Sequence, residues 1–130
     1  MGTLAENLKD RGYKLVDKLP EGERRQSVYR QAHSMTEAEL KALILPMAKA
    51  KGWIVYTTPQ VKPLRPARLD GSAGYPDLTL ARDGEVLWLE LKQEDGKLSL
   101  PQAGWQVALP RMEVIRPSDL ARGRVDELLA

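Results

Sequence analysis

Three side chains in the stretch GYPDLTLARDGEVLWLELK, residues 74 to 92, are of the types that carry hydrolytic chemistry: Asp77, Glu90 and Lys92. The Asp83-Gly84 pair between two apolar runs is the strongest short-range hairpin signal in the chain. With those two residues as the turn, Arg82 faces Glu85, and counting back along both strands sets Asp77 directly opposite Glu90. A loop from 82 to 85 keeps the same register. Opposed side chains in an antiparallel pair have Cβ atoms roughly 4.5–5.5 Å apart, so two carboxylates there repel each other unless something offsets the repulsion. A hard divalent cation, Mg²⁺ or Mn²⁺, takes oxygen ligands and turns that repulsion into coordination. Such an ion lowers the pKa of a bound water and neutralises charge developing on a phosphoryl oxygen. Alternation puts Val86, Trp88, Glu90 and Lys92 on one face of the strand and Leu87, Leu89 and Leu91 on the other. Lys92 then lies beside both acids, where its ammonium can orient or deprotonate an attacking water or stabilise a pentacovalent phosphorane. The plainer alternative is a solvated sheet face on which Lys92 pairs with both acids.

The elements that must position these residues are legible from Thr36 onward. TEAELKALILPMAKAKGW opens with a Thr-x-x-Glu capping box, carries Leu40, Leu43, Ile44 and Met47 at helical spacing and ends at Gly52. Pro46 inside it predicts a kink or an early weakening. WIVYTT, residues 53 to 58, is β-branched and aromatic and predicts a buried strand. PQVKPLRPARLDGSAG, rich in proline and glycine, is a loop, and ordered loops of that length are often functional. Two strands, 77–81 and 86–92, form the hairpin. LSLPQAGWQVAL reads as a helix with Ser99 as cap and Gln102 at the third helical position, MEVIR as a strand, and SDLARGRVDELLA as a last helix weakened at Gly123. The order is helix, strand, strand, strand, helix, strand, then a closing helix: an α/β fold on a mixed sheet. Residues 1–35 read as an N-terminal extension to a domain spanning 36–130.

Composition narrows the chemistry further. At 130 residues the chain fits one domain, and its 42% hydrophobic and 29% charged residues suggest neither disorder nor a membrane protein. No apolar run approaches the roughly 20 residues that span a bilayer, and MGTLAENLKDRGYKL lacks the apolar core of a secretory signal, so a cytoplasmic location is expected. The absence of cysteine excludes thiolate nucleophiles and zinc–thiolate sites, and the lone His33 excludes multi-histidine sites. Any metal sits on oxygen. A formal charge of +2 and a pI near 8.9 permit nucleic-acid binding without arguing for it.

YPD followed by ELK, Asp77 and then Glu90-Leu91-Lys92, resembles the signature of the PD-(D/E)XK nucleases. The surrounding GYPDLTL, LWLELK, GKLSLPQAGW and VIRPSDL, with the acidic helix TEAELKALILPMAKAKG, resemble more narrowly the VRR-NUC group, the virus-type replication and repair nucleases. The similarity covers about residues 36 to 120. It implies a restriction-endonuclease-like core, α-β-β-β-α-β, and a metal-dependent endonuclease that hydrolyses DNA phosphodiester bonds with Mg²⁺ or Mn²⁺. Asp77 and Glu90 would bind the metal, the Leu91 backbone carbonyl would add a ligand, and Lys92 would act on the nucleophilic water. Glu39 matches the acid carried on the first helix of such nucleases, with Glu37 close enough to compete and a capping role as its plainer alternative. Gln102 matches a glutamine beside the metal, or is simply the second capping-box partner. The resemblance suggests a homodimer acting on branched DNA such as four-way junctions, in a bacterial or phage-infected cell, with residues 1–35 as a candidate interface. The Pro110-Arg111 turn and the prolines of the 59–66 loop depart from the family pattern without touching the catalytic set.

Lys62, Arg65, Arg68, Arg82 and Lys97 surround this set in sequence and are candidates for holding a phosphate backbone. Trp88 and Trp105 could stack on a base, although core packing is the commoner task of tryptophan. The rival to the enzyme is a non-catalytic nucleic-acid-binding module on the same scaffold. A decayed site would be expected to have lost at least one of Asp77, Glu90 and Lys92.

Overall fold

The computed structural model describes residues 34–59 and 73–130. The first helix, α1 (Glu37–Ala50), starts where its sequence says it should. Thr36 Oγ1 accepts from the Glu39 amide at 3.1 Å, and Glu39 Oε1 accepts from the Thr36 amide at 3.3 Å. Its buried stripe is Leu40, Leu43, Ile44 and Ala48, and Met35 just before the cap joins the same core. The helix continues through Pro46, which is exposed. The proline leaves one carbonyl of the preceding turn without its helical donor. Gly52, at φ +84, then turns the chain into the sheet.

Four strands follow: β1 (Ile54–Thr57), β2 (Leu78–Arg82), β3 (Glu85–Leu91) and β4 (Met112–Ile115), in the spatial order β1-β2-β3-β4. The first two pairings are antiparallel and β3–β4 is parallel, so the sheet is mixed. In the β2–β3 hairpin, Leu78 pairs with Leu89 and Arg82 with Glu85, the register expected from the Asp83-Gly84 turn. Both turn residues have positive φ, 51° and 81°, as a type I′ turn requires. The parallel β4 needs a crossover, supplied by α2 (Leu100–Ala108). Ser99 caps α2: its Oγ accepts from the Gln102 amide at 3.3 Å, and Gln102 Oε1 accepts from the Ser99 amide at 2.8 Å.

One sheet face is leucine-rich. Leu78, Leu80, Leu87, Leu89, Leu91 and Ile115 are buried there with α1 and with α3 (Pro117–Ala121) and α4 (Arg124–Leu129), which add Leu120, Val125 and Leu129. Each such side chain contributes about 1.5–3 kcal/mol on burial. The opposite face carries Trp88 and Glu90, and α2 lies on that side, reaching Glu90 through Gln102.

Three expectations need correction. The strand at 53–58 is not a buried one: Trp53 is buried, but Ile54 and Tyr56 are 77% and 57% exposed. The cause is its place in the sheet, since among the described strands β1 lies at the edge and pairs only with β2. The closing helix is two short helices, because Gly123 at φ +80 leaves the helical region between them. Arg82 is not poised for phosphate. Its guanidinium stacks 4.2 Å from the Trp53 ring centroid and donates to the carbonyls of Lys51 (2.8 Å), Leu129 (3.2 Å) and Ala130 (2.8 Å). It fastens the ends of α1 and α4 at the hairpin-turn end of β2.

Candidate active site

Asp77 stands one residue before β2 and is gripped from two sides. Its backbone carbonyl accepts from the Thr58 amide at 2.9 Å, and its Oδ2 accepts from the Leu91 amide at 2.8 Å. The Thr58 hydroxyl donates to the carbonyl of Pro76, itself fully buried. Gly74, at φ +77, lies so close to the first turn of α2 that a Cβ there would sit 2.6 Å from the Gln102 nitrogen and 2.7 Å from the Pro101 carbonyl carbon. Tyr75 meets Trp105 edge to face at 4.9 Å and accepts from Trp88 Nε1 at 2.8 Å, while Trp105 Nε1 donates to the Ala73 carbonyl. Each residue of GYPD therefore has a job in holding Asp77 against β3.

Glu90, on β3, is 2% exposed. Two groups converge on its Oε1: Gln102 Nε2 donates at 3.0 Å, and Lys92 Nζ lies 3.8 Å away. Its Oε2 is buried and no donor among the described residues reaches it. The Asp77 carboxyl is within hydrogen-bonding reach of Glu90, a contact that exists only when one of the two acids carries a proton. Burial first, and then the negative charge of Asp77, push the Glu90 carboxyl up from 4.5 to about 8. The Lys92 ammonium pulls it down, and the Asp77 hydrogen bond and the charge of Glu37 raise it further.

A buried acid of this kind holds either a proton or a cation. The oxygens available are the Asp77 and Glu90 carboxylates and the Leu91 carbonyl beside them in the chain. Among the described residues no group of three or more His, Cys, Asp or Glu side chains converges. That donor set does not form an all-protein cage. It fits Mg²⁺ or Mn²⁺, which are held by one or two carboxylates and keep several waters. The orphaned Glu90 Oε2 is the atom such an ion would satisfy.

The two helix-borne candidates resolve differently. Glu39 Oε1 serves the α1 cap, where it also accepts from the Thr36 hydroxyl at 3.0 Å. The acid of this helix whose charge reaches Glu90 is Glu37, at its first position. Gln102 fills both roles, one end of its amide closing the α2 cap and the other bound to Glu90. Lys97 is exposed in the turn between β3 and α2. Lys62, Arg65, Arg68 and His33, with the extension up to residue 33, lie outside the described residues. Sequence reasoning missed Gly74, Tyr75 and Thr58; a glycine next to Tyr-Pro-Asp was a signal for a close backbone approach, while nothing in its spacing marked Thr58. No helix among the described residues is long and apolar enough to cross a membrane. No family model, no curated protein and no solved structure matches this chain.

Proposed function

We propose that the protein is a metal-dependent endonuclease of the PD-(D/E)XK type, similar to the VRR-NUC group, that hydrolyses DNA phosphodiester bonds. The observation that carries this reading is the buried Glu90, with one oxygen that no donor among the described residues reaches, lying against Asp77 and beside Lys92. Asp77 and Glu90, with the Leu91 carbonyl, would hold Mg²⁺ or Mn²⁺. When bound, the ion supplies Lewis acidity toward a phosphoryl oxygen and a water of lowered pKa.

The chain's own groups account for the rest. Gln102 fixes the rotamer of Glu90 by engaging Oε1, which leaves Oε2 free for coordination. Asp77 is oriented by the Leu91 amide, which donates to its Oδ2. The Lys92 side chain is 12% exposed, with its ammonium beside the acids. From there it orients a water for attack or neutralises charge gathering on the phosphate. Glu37 and Glu39 are the acids α1 offers in its first turn, and the charge of Glu37 reaches Glu90. Lys97 is available to the DNA backbone on the α2 side. A homodimer acting on branched DNA in a bacterial or phage-infected cell is the biological setting that the sequence resemblance favours.

The test is cleavage of supercoiled, linear, single-stranded and four-way-junction DNA with Mg²⁺, Mn²⁺ or EDTA. Cleavage should require metal, and Asp77→Asn, Glu90→Gln and Lys92→Ala should each lower its rate by at least about 100-fold while the fold survives. Activity that persists in all three variants would sink the assignment. A parent protein that retains DNA without cutting it would instead support a binding module on this scaffold.

A further inference from the structure

Lys92 and Gln102 are ten positions apart, yet both meet the same oxygen of Glu90. The chain between them makes a turn whose Gly96 amide donates to the Gln93 carbonyl at 3.0 Å. Two side chains hold that turn to the rest of the fold. Arg116, directly after β4, donates through Nη2 to the Gly96 carbonyl at 2.7 Å. Glu94 Oε2, within the turn, accepts from the Ser118 amide in the first turn of α3 at 3.0 Å. The Lys92 amide also donates to the Ile115 carbonyl at 3.0 Å, so the near end of the turn is tied to the residue before Arg116. Gly96 lies against the Lys92 stem: a Cβ there would sit 3.4 Å from Lys92 Cδ.

We propose that Arg116 and Glu94 are positioning residues, clamping the 93–98 turn so that the Lys92 ammonium and the Gln102 amide converge on Glu90 Oε1 and leave Oε2 free. The proposal rests on the reading of Asp77, Glu90 and Lys92 as the reacting centre. Its geometric content can be tested without that reading. Neither residue touches Glu90. Each acts through the turn, and the two bonds have different partners, one donated by Arg116 to a carbonyl of the turn and one donated by the Ser118 amide of α3 to Glu94.

The readout is the pair of side-chain amide signals of Gln102 in the ¹⁵N–¹H spectrum of the full chain without metal, assigned by their loss in Gln102→Ala. In the parent they should stand apart from those of exposed glutamines. Arg116→Ala and Glu94→Ala should move them to the exposed position. Arg116→Lys, which keeps a donor for the Gly96 carbonyl, and Glu94→Gln, which keeps an acceptor for the Ser118 amide, should leave them in place. On DNA with Mg²⁺, the two alanine variants should lose about 10- to 100-fold in kcat with KM little changed. If Arg116→Ala does not fold, Glu94→Ala and Gly96→Ala test the same turn by separate contacts, Gly96→Ala through crowding of the Gln93 backbone at 3.3 Å and the Lys92 stem at 3.4 Å. Unmoved Gln102 signals in a folded Arg116→Ala or Glu94→Ala, whatever the change in thermal midpoint, would overturn the clamp and leave both residues a merely structural role. A parent protein that cuts no DNA would remove the nuclease reading, while the amide signals would still decide the clamp.

Discussion

Replacing Glu90 by glutamine should stabilise the metal-free protein at neutral pH, although it removes a proposed catalytic group. Glutamine keeps the shape, its Oε1 still accepts from Gln102 Nε2, and its new amide can donate to Asp77. What it removes is a negative charge that burial and Asp77 oppose, the same causes that push the carboxyl up from 4.5 to about 8. Because the folded value lies above the unfolded one, the favourable contribution of the protonated acid is complete below pH 4.5 and is lost as pH rises through about 8. At 1.36 kcal/mol per pH unit between those limits, the loss is at most roughly 5 kcal/mol, of which about 3 kcal/mol has accrued by pH 7. The glutamine variant has no such dependence at this position. Urea unfolding of both proteins in EDTA should give a stability difference that grows by about 2–3 kcal/mol in favour of Glu90→Gln from pH 5 to 7 and levels off above pH 8. Mg²⁺ should reverse the order at about pH 7: a cation at roughly 1,000 times its Kd stabilises the parent by about 4.1 kcal/mol, more than the roughly 3 kcal/mol lost by then, and the variant little. Binding to the parent at pH 7 should release nearly one proton per ion, read by calorimetry in buffers of different ionisation enthalpy. A stability difference that stays flat from pH 5 to 9 would refute the reasoning, because it would mean that Glu90 ionises in the fold as it does in the unfolded chain.

Three further outcomes follow from the packing. Gly74→Ala forces a Cβ to 2.6 Å from the Gln102 nitrogen at a residue with φ +77, and should lower stability by about 1–3 kcal/mol or more in denaturant titration. Arg82→Ala loses three carbonyl contacts and the stacking on Trp53, and should lower the unfolding free energy by about 2 kcal/mol while leaving DNA affinity at fixed salt unchanged. Weaker DNA binding by that variant would restore Arg82 to the phosphate-contacting set. Leu80→Ala, at a fully buried position, should lose about 2–5 kcal/mol in urea unfolding without altering Mg²⁺ affinity in the folded protein.

The parts of this molecule that could be read from sequence are those where local rules leave one answer. A two-residue turn of Asp-Gly permits one register, and that register alone brings Asp77 to the end of β2 nearest Glu90. The two capping boxes are equally local, each written in four consecutive residues. What could not be read depends on which neighbours the sheet supplies. WIVYTT has the composition of a central strand and becomes an edge because the hairpin takes the inner positions. Arg82 looks like one more cation near the site until the termini of α1 and α4 arrive beside it. Whether Glu37 or Glu39 addresses the site turns on the phase of α1 at its first turn, where Glu39 serves the cap and the charge of Glu37 reaches Glu90.

Gln102 shows why the two kinds of reading need not compete. A capping glutamine is held by its oxygen, which leaves the amide nitrogen projecting from the helix start with its direction already fixed. A buried carboxylate facing that nitrogen gains a rigid donor at no additional conformational cost, since the cap has ordered the side chain. The same economy applies to the hairpin charges. Glu90 is tolerated in the sheet because Gln102 and Lys92 meet one of its oxygens, and because the other can be satisfied by a proton or by a cation. A site that exchanged its proton for a metal ion would gain affinity for that ion as pH rises until the proton is gone, and with Glu90 pushed up to about 8 the proposed exchange would fall near neutral pH.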